Sequence, residues 1–202
     1  MLEKRRGISS FFAESGHWIQ EMIAGDSMTD SDASEAVLVL SSVVGKYPSS
    51  SASPLLVLWE NEWELVSEKL TAVFAKGGSV TLAAATEVKR AQDVGISSAI
   101  IVDRNTERRY AELDKLEMYG WPQRFGLLAI PAGAPTRSFR TWWSGGEFRG
   151  KERFVHDDEW DSRAICCDIE VAKDLFSDFY QHKGISERIL AATVLNSDLS
   201  DD

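Results

Sequence analysis

The stretch TWWSGGEFRGKERFVHDDEWDSRAICCD, residues 141–168, holds the chain's densest collection of side chains that could do chemistry. It contains paired tryptophans, a Gly-Gly turn, a run of acids behind a histidine, and two adjacent cysteines. Such residues could form a metal site, a catalytic nucleophile with its base, or an aromatic and acidic binding surface. The spacing of the residues separates these three possibilities.

A metal site would need the histidine, the acids and the cysteines of this stretch to converge. Structural zinc sites use Cys or His ligands in pairs that are about two to four residues apart. Cys166 and Cys167 are adjacent, and adjacent side chains in a strand point to opposite faces. A calcium loop has a central glycine, whereas residues 157–161, DDEWD, contain a tryptophan and no glycine. The sequence therefore predicts no metal and no other cofactor.

A catalytic nucleophile would need a base close in space. The chain has three histidines, His17, His156 and His182. His182 falls in the last turn of a predicted helix, where a cation interacts favourably with the helix dipole. The sequence contains neither a Gly-x-Ser-x-Gly elbow nor a Walker phosphate loop. We therefore predict that the protein is not an enzyme, and the alternative is a hydrolase whose catalytic carboxylates leave no motif.

The cysteines also bear on the cellular compartment. Cys166 and Cys167 are the two cysteines of the chain, and a disulfide between neighbours would strain the backbone. We expect both thiols to be reduced, with one buried in a sheet and the other nearer the surface. Residues 1–18 lack the unbroken apolar run of a signal peptide, and no window approaches the roughly 18 apolar residues of a membrane span. These features predict a soluble, cytoplasmic protein.

A binding surface is the third possibility. Trp142 and Trp143 would face opposite ways in a strand, so that one is expected in the core while the other can be exposed. Residues 154–161 include four acids and neither lysine nor arginine. An exposed tryptophan beside these acids would be an anchor of the kind that carries much of an interface's energy. We predict a partner-binding surface made of Trp142, Trp143, Asp157, Asp158, Glu159, Trp160 and Asp161.

The overall charge indicates which partner such a surface would meet. The 202 residues include 32 acidic and 22 basic side chains, so the net charge is −10. This charge repels the phosphates of nucleic acids and the surface of anionic membranes, and we expect neither as a partner. A basic protein is favoured instead, because complementary fields speed encounter.

Periodicity and turn signals predict the elements that would position this surface. Residues 1–30 form an N-terminal helical segment, and residues 47–54, YPSSSASP, form a loop. Residues 55–59, LLVLW, are predicted to be a short buried strand. The next residues, 60–78, have apolar side chains at helical spacing, and Gly77 is suited to the left-handed conformation that ends a helix.

The C-terminal part is predicted to contain a hairpin, a strand and a helix. Residues 138–155 form an antiparallel hairpin that turns at Gly145 and Gly146, because glycine adopts the positive φ angles of a tight turn. Residues 162–169 form a strand. Residues 168–184 form an amphipathic helix, which begins with an aspartate cap and stops at a glycine. Residues 196–202 are an acidic tail.

These elements favour one fold class. Apolar strands at residues 79–84, 97–103 and 125–130 lie between the two predicted helical regions, without regular βαβ repeats. We predict a single α+β domain over residues 1–202, in which helices pack on one face of a mostly antiparallel sheet.

In its size, its acidity and the aromatic and acidic segment TWWSGGEFRGKERFVHDDEW, the chain resembles the immunity proteins of bacterial toxin systems. Immunity proteins bind a cognate effector, often a basic nuclease, and block its site. The resemblance implies that this chain neutralises a toxin by direct binding. Two other classes stay open, an enzyme with unrecognised catalytic carboxylates and an adaptor or structural subunit.

Overall fold

The computed structural model describes residues 36–45, 55–59, 61–88, 100–102, 108–134, 138–155 and 158–196. Along these residues the elements are β1 (Val37–Val44), β2 (Leu56–Leu58), α1 (Trp63–Lys76), β3 (Gly78–Glu87), β4 (Ile100–Val102), β5 (Arg109–Trp121), β6 (Arg124–Ile130), β7 (Arg140–Trp142), β8 (Lys151–Arg153), β9 (Glu159–Asp161), α2 (Ile169–His182), α3 (Glu187–Ala191) and β10 (Thr193–Leu195). The predicted helical segment in residues 1–30, the predicted loop at 47–54 and the tail beyond Asn196 lie outside the described residues.

Eight of the strands form one antiparallel sheet. Its order is β10-β7-β6-β5-β3-β1-β2, and β4 also pairs with β5. The long strand β5 has β3 along one edge and both β4 and β6 along the other. Strands β8 and β9 pair with each other as a separate two-stranded sheet.

Helices α1 and α2 pack together on one face of the large sheet. Each helix has an apolar stripe at helical spacing, and the alternate residues of the strands point toward it. The resulting main core includes Leu38, Leu40, Val66, Leu70, Val73, Val80, Leu82, Leu116, Met118, Phe125, Leu127, Leu175, Phe176 and Phe179. The predicted α+β class, with helices on one face of an antiparallel sheet, is confirmed. Among the described residues, no helix has the length and apolarity needed to cross a membrane.

The start of α2 and the end of α1 lie at the predicted residues, and α2 ends one residue earlier than predicted. The carboxylate of Asp168 accepts a hydrogen bond of 3.0 Å from the Glu170 amide, which caps the start of α2. Lys183, with a φ of 50°, takes the left-handed position at the end of α2, one residue before the predicted glycine. Gly77 follows α1 with a φ of 76°, as the sequence predicts.

The predicted hairpin over residues 138–155 is wrong. Strand β7 pairs with β6 on one edge and β10 on the other, so it has no free edge for β8. Strand β8 pairs instead with β9, and the Phe154 amide donates to the Asp158 carbonyl at 3.0 Å in the turn between them. Gly145 does have a positive φ, 68°, but it lies in an irregular connection over residues 143–150.

The two cysteines follow the prediction that one is buried and one is exposed. Both thiols are free; Cys166 is buried and Cys167 is exposed. The backbone of Cys166 exchanges hydrogen bonds with Phe125 of β6, at 2.7 and 2.9 Å, which holds its side chain in the core. Burial raises the pKa of the Cys166 thiol to about 11.

We therefore expect a thiol reagent to label the native protein at Cys167 and not at Cys166. The reactive species is the thiolate, and at pH 8 the buried thiol is protonated and shielded from the reagent. Mass spectrometry after timed alkylation should show one adduct per chain, and a second adduct should require denaturant. Rapid addition of two adducts to the folded protein would contradict the placement of Cys166.

Candidate partner-binding surface

Trp160, one of the predicted anchors, is a core residue. It is 7% exposed, and its ring packs edge-on against Tyr119 and Phe154, with centroid distances of 5.4 and 5.7 Å. Gly126 lies beneath the ring, where an added Cβ would come within 2.7 Å of Cζ3. The ring thus fixes the β8–β9 hairpin to the sheet face opposite the helices, and it offers no surface to a partner.

Trp142 and Trp143 point to opposite sides, as predicted, but both are half-buried. Trp142 packs against the main core, and Trp143 packs against the second core beneath the hairpin. The guanidinium carbon of Arg163 lies 4.4 Å from the centroid of the Trp143 ring and 5.0 Å from that of Phe148. A cation therefore already covers the face of Trp143 that a basic partner would contact.

The predicted acids differ in how accessible they are. Asp161 accepts two hydrogen bonds from the Arg163 guanidinium, at 3.0 and 2.7 Å, and one from its amide at 2.8 Å. Burial acts to raise the pKa of Asp161, but these bonds outweigh it and the pKa is lowered. Asp158 is half-buried and Glu159 is exposed, while Asp157 lies outside the described residues. Glu159 is thus an exposed carboxylate beside the hairpin turn, and Asp158 is partly exposed.

Trp59 was predicted to lie in a buried strand, and this prediction is wrong. Strand β2 ends at Leu58, and Trp59 is 70% exposed, more than any other large hydrophobic side chain among the described residues. Its backbone is held on both sides. The Trp59 amide donates to the Glu62 carboxylate at 2.6 Å, and its carbonyl accepts from the Tyr180 hydroxyl at 3.3 Å. The same hydroxyl accepts from the Glu62 amide at 3.0 Å. The ring is therefore presented to solvent from a fixed backbone.

A groove lies between α1 and α2, and Trp63, which lines it, contacts the same Tyr180 that holds the Trp59 carbonyl. The groove has a volume of about 600 Å³. Its lining consists of Trp63, Ser67, Asp168, Glu170, Val171, Lys173 and Asp174. The half-buried ring of Trp63 packs edge-on against Tyr180, 5.8 Å between centroids, which fixes the aromatic part of the groove.

Acidic side chains predominate around this groove. Asp168, Glu170 and Asp174 line it and are exposed, and α1 adds the exposed carboxylates of Glu64 and Glu68, which follow the lining residues Trp63 and Ser67 in sequence. Three cations offset them in part: Lys69 lies 3.3 Å from Glu68, Lys173 lies 2.9 Å from Glu170, and Arg188 pairs with Asp174. Five carboxylates against three cations leave an excess of two negative charges. We call the two tryptophans, Trp59 and Trp63, together with these five acids the α1–α2 acidic surface.

A signal for this surface was present in the sequence. Residues 59–64 read WENEWE, so that two acids lie between two tryptophans and a third acid follows the second tryptophan. Trp63 lies three residues before Val66, which is the spacing of the apolar stripe of α1. In the structure it sits at the border of that stripe, packed against the core on one side and open to the groove on the other.

The remaining candidate groups have structural roles. Among the described residues, no three His, Cys, Asp or Glu side chains are grouped so that they could hold a metal ion. The Ser186 hydroxyl donates directly to the Asp178 carboxylate and accepts from the Ile189 amide, which caps α3. The Nδ1 of His182 lies 2.8 Å from the Asp178 carbonyl. The imidazole therefore does not act on the serine, and the three residues do not form a catalytic relay.

Comparisons with known proteins do not assign this chain to a family. No family model matches it, and no curated protein matches it. One solved structure that it resembles is a hypothetical protein from Neisseria gonorrhoeae. The TM-score is 0.44 at 9% identity, over 80% of this chain and 98% of that one.

Proposed function

We propose that this chain is a cytoplasmic protein that binds a basic protein partner through the α1–α2 acidic surface. In its more specific form, the proposal is that the chain is an immunity protein and that the partner is its cognate toxin. The observation that carries the proposal is the 70% exposure of Trp59 on a hydrogen-bonded backbone beside an acidic groove. The two free thiols support the reducing compartment.

Trp59 has the properties of an interface anchor. Tryptophan is enriched among the residues that dominate binding energy, because its large ring buries apolar area at a small cost in conformational entropy. A fixed backbone lowers that cost further. Two exposed apolar side chains a few residues earlier, Leu55 at 36% just before the edge strand β2 and Leu56 at 43% within it, add to the apolar area that a partner could cover.

The groove would accept a basic side chain of the partner. A lysine or arginine lying over the open part of the Trp63 ring would gain a cation–π interaction. Asp168 and Asp174 at the rim would supply carboxylates to the same cation. The net charge of −10 would steer a basic partner to the protein before these contacts form.

The predicted hairpin surface stays a second candidate for the binding site. Its acids Asp158 and Glu159 belong to the hairpin on the sheet face opposite α1 and α2. A compact partner docked on one face cannot contact both surfaces. The two locations therefore give different expectations when their charges are reversed.

The charge-reversed variant Glu64→Lys/Glu68→Lys should associate more slowly than the wild type, by roughly tenfold at low salt, with a weaker salt dependence. The matched control, Asp158→Lys/Glu159→Lys, makes the same charge change on the other face and should associate within about twofold of the wild type. The measurement is stopped-flow association, at two salt concentrations, with the candidate toxin effector.

Three outcomes count against parts of the proposal. Slower association of the hairpin variant alone would move the binding site to the surface predicted from the sequence. Equal association rates for the wild type and both charge-reversed variants would show that these charges do not steer the partner. A neighbouring gene that encodes a metabolic enzyme, without a toxin-like partner, would contradict the immunity role.

A further inference from the structure

Strand β2 lies at one edge of the large sheet and is paired on one side. Leu56–Leu58 pairs with residues 38–40 of β1, and no other described strand pairs with it. In an antiparallel pair, successive residues direct their backbone groups alternately toward the neighbouring strand and away from it. The β2 groups that point away from β1 therefore have no partner in a described strand.

The side chains at this edge favour the addition of another strand. Sheet edges are commonly protected by a lysine, a proline or a bulge. Residues 55–59, LLVLW, contain no charged residue, proline or glycine, and the pairing of β1 with β2 has no register shift. Leu56 is 43% exposed and lies opposite Leu40, a main-core residue, so its side chain is on the side of the sheet that α1 covers. An added strand would cover Leu56 and extend the main core.

Trp59 marks the end of the edge. Its amide donates to the Glu62 carboxylate at 2.6 Å, and its carbonyl accepts from the Tyr180 hydroxyl at 3.3 Å. Because both backbone groups of Trp59 are bonded within the chain, an added strand would pair no further than Leu58. The edge is continuous with the α1–α2 acidic surface, to which Trp59 belongs.

We propose that an extended segment of the basic partner pairs with β2 as an additional strand of the sheet. This inference rests on the proposed function and specifies how the partner is held. Backbone hydrogen bonds along β2 would supply affinity, an apolar side chain would lie beside Leu56, and basic side chains would lie toward the Trp59 end. A second copy of this chain is disfavoured, because two chains of net charge −10 would repel and each edge adjoins its own acidic surface.

Amide hydrogen exchange, measured by NMR with and without a capped peptide of alternating lysine and valine, tests the proposal. We expect the peptide to slow exchange at the β2 amides that point away from β1. The matched probe is the same peptide with every backbone nitrogen methylated, which keeps the charge and the side chains but cannot donate hydrogen bonds. It should bind at least roughly tenfold more weakly, because the backbone bonds are lost.

Leu56→Lys tests the same edge from the side of the protein. A lysine on an edge strand opposes strand addition, and the change also removes the apolar contact, so the peptide should bind roughly tenfold more weakly. Val44→Lys is the control, because Val44 is also an exposed apolar residue, at 37%, but belongs to β1. This variant should bind the peptide within about twofold of the wild type.

Four results would overturn the proposal. The first is equal binding of the two peptides, and the second is equal weakening by Leu56→Lys and Val44→Lys. The third is slow exchange of these β2 amides in the free protein. If that protection persisted on dilution, residues of the same chain would occupy the edge, and if it were lost, a second copy would. The fourth is a set of peptide-induced shifts confined to the α1–α2 acidic surface.

This fourth result would reject strand addition and leave the proposed partner surface standing. The proposed function fails by a different result, namely normal affinity of Trp59→Ala for the effector.

Discussion

Replacing Trp160 by alanine is expected to lower the free energy of unfolding by about 3–5 kcal/mol. The ring is 7% exposed and packs on Tyr119, Phe154 and Gly126. With Phe154 and Val155 it forms the apolar connection between the β8–β9 hairpin and the sheet, since that hairpin pairs with none of the described strands of the large sheet. Removing the ring leaves a cavity that the short hairpin cannot fill by adjusting its backbone pairing.

Urea unfolding followed by circular dichroism measures this loss. The same substitution at Trp59, which is 70% exposed, is the control and should change the free energy of unfolding by at most about 0.5 kcal/mol. Equal costs for Trp160→Ala and Trp59→Ala would show that the hairpin does not pack on the sheet.

Gly78→Ala is expected to cost about 3–5 kcal/mol, which for a marginally stable domain can prevent folding. Gly78 begins β3 with a φ of 121°, and an added Cβ would lie 1.9 Å from the Val43 carbonyl oxygen. Val44 and Gly120 pair with it on the two sides, so neither neighbouring strand can move without breaking the centre of the sheet.

The control for this substitution is Gly145→Ala. Gly145 also has a positive φ, 68°, but nothing lies within 4 Å of an added Cβ. It should therefore cost about 1–2 kcal/mol, from backbone strain alone. Thermal unfolding of both variants separates strain from steric clash, and a Gly78→Ala protein as stable as Gly145→Ala would contradict the close approach of β1 and β3.

The helices were predictable because their signals are local. The carboxylate of Asp168 caps α2 by accepting a hydrogen bond from the amide of Glu170, two residues later. Gly77 ends α1 because its backbone adopts a positive φ. The apolar stripes of both helices repeat within a few residues, so the sequence alone specifies which side packs inward.

Strand pairing was not predictable from local signals. Gly145 and Gly146 favour a turn, yet β7 pairs with β6 and with β10, a strand some fifty residues further along the chain. The strands β6 and β10 form hydrogen bonds with both edges of β7. A pair of glycines can occur in an irregular connection just as it can in a hairpin turn. For the same reason the local pattern does not show that Glu159 and Asp161 belong to the second strand of a different hairpin, β8–β9.

The candidate surface exists because β2 ends before Trp59, and the sequence does not mark this end of the strand. LLVLW reads as a buried strand, but β2 stops one residue before the tryptophan. Trp59 is exposed because Tyr180, more than a hundred residues away, holds its carbonyl and the Glu62 amide in a turn. A contact of that sequence separation leaves no trace in the local pattern.

The affinity of Trp59→Ala for the effector tests the proposed partner surface most directly. Loss of the ring should weaken binding by about 2 kcal/mol or more, roughly thirtyfold, mainly through faster dissociation. Trp121→Ala is the matched control, because Trp121 is also an exposed tryptophan, 46% accessible, but it is the last residue of β5. It should bind within about twofold of the wild type. A Trp59→Ala protein that binds the effector as tightly as the wild type would contradict the account.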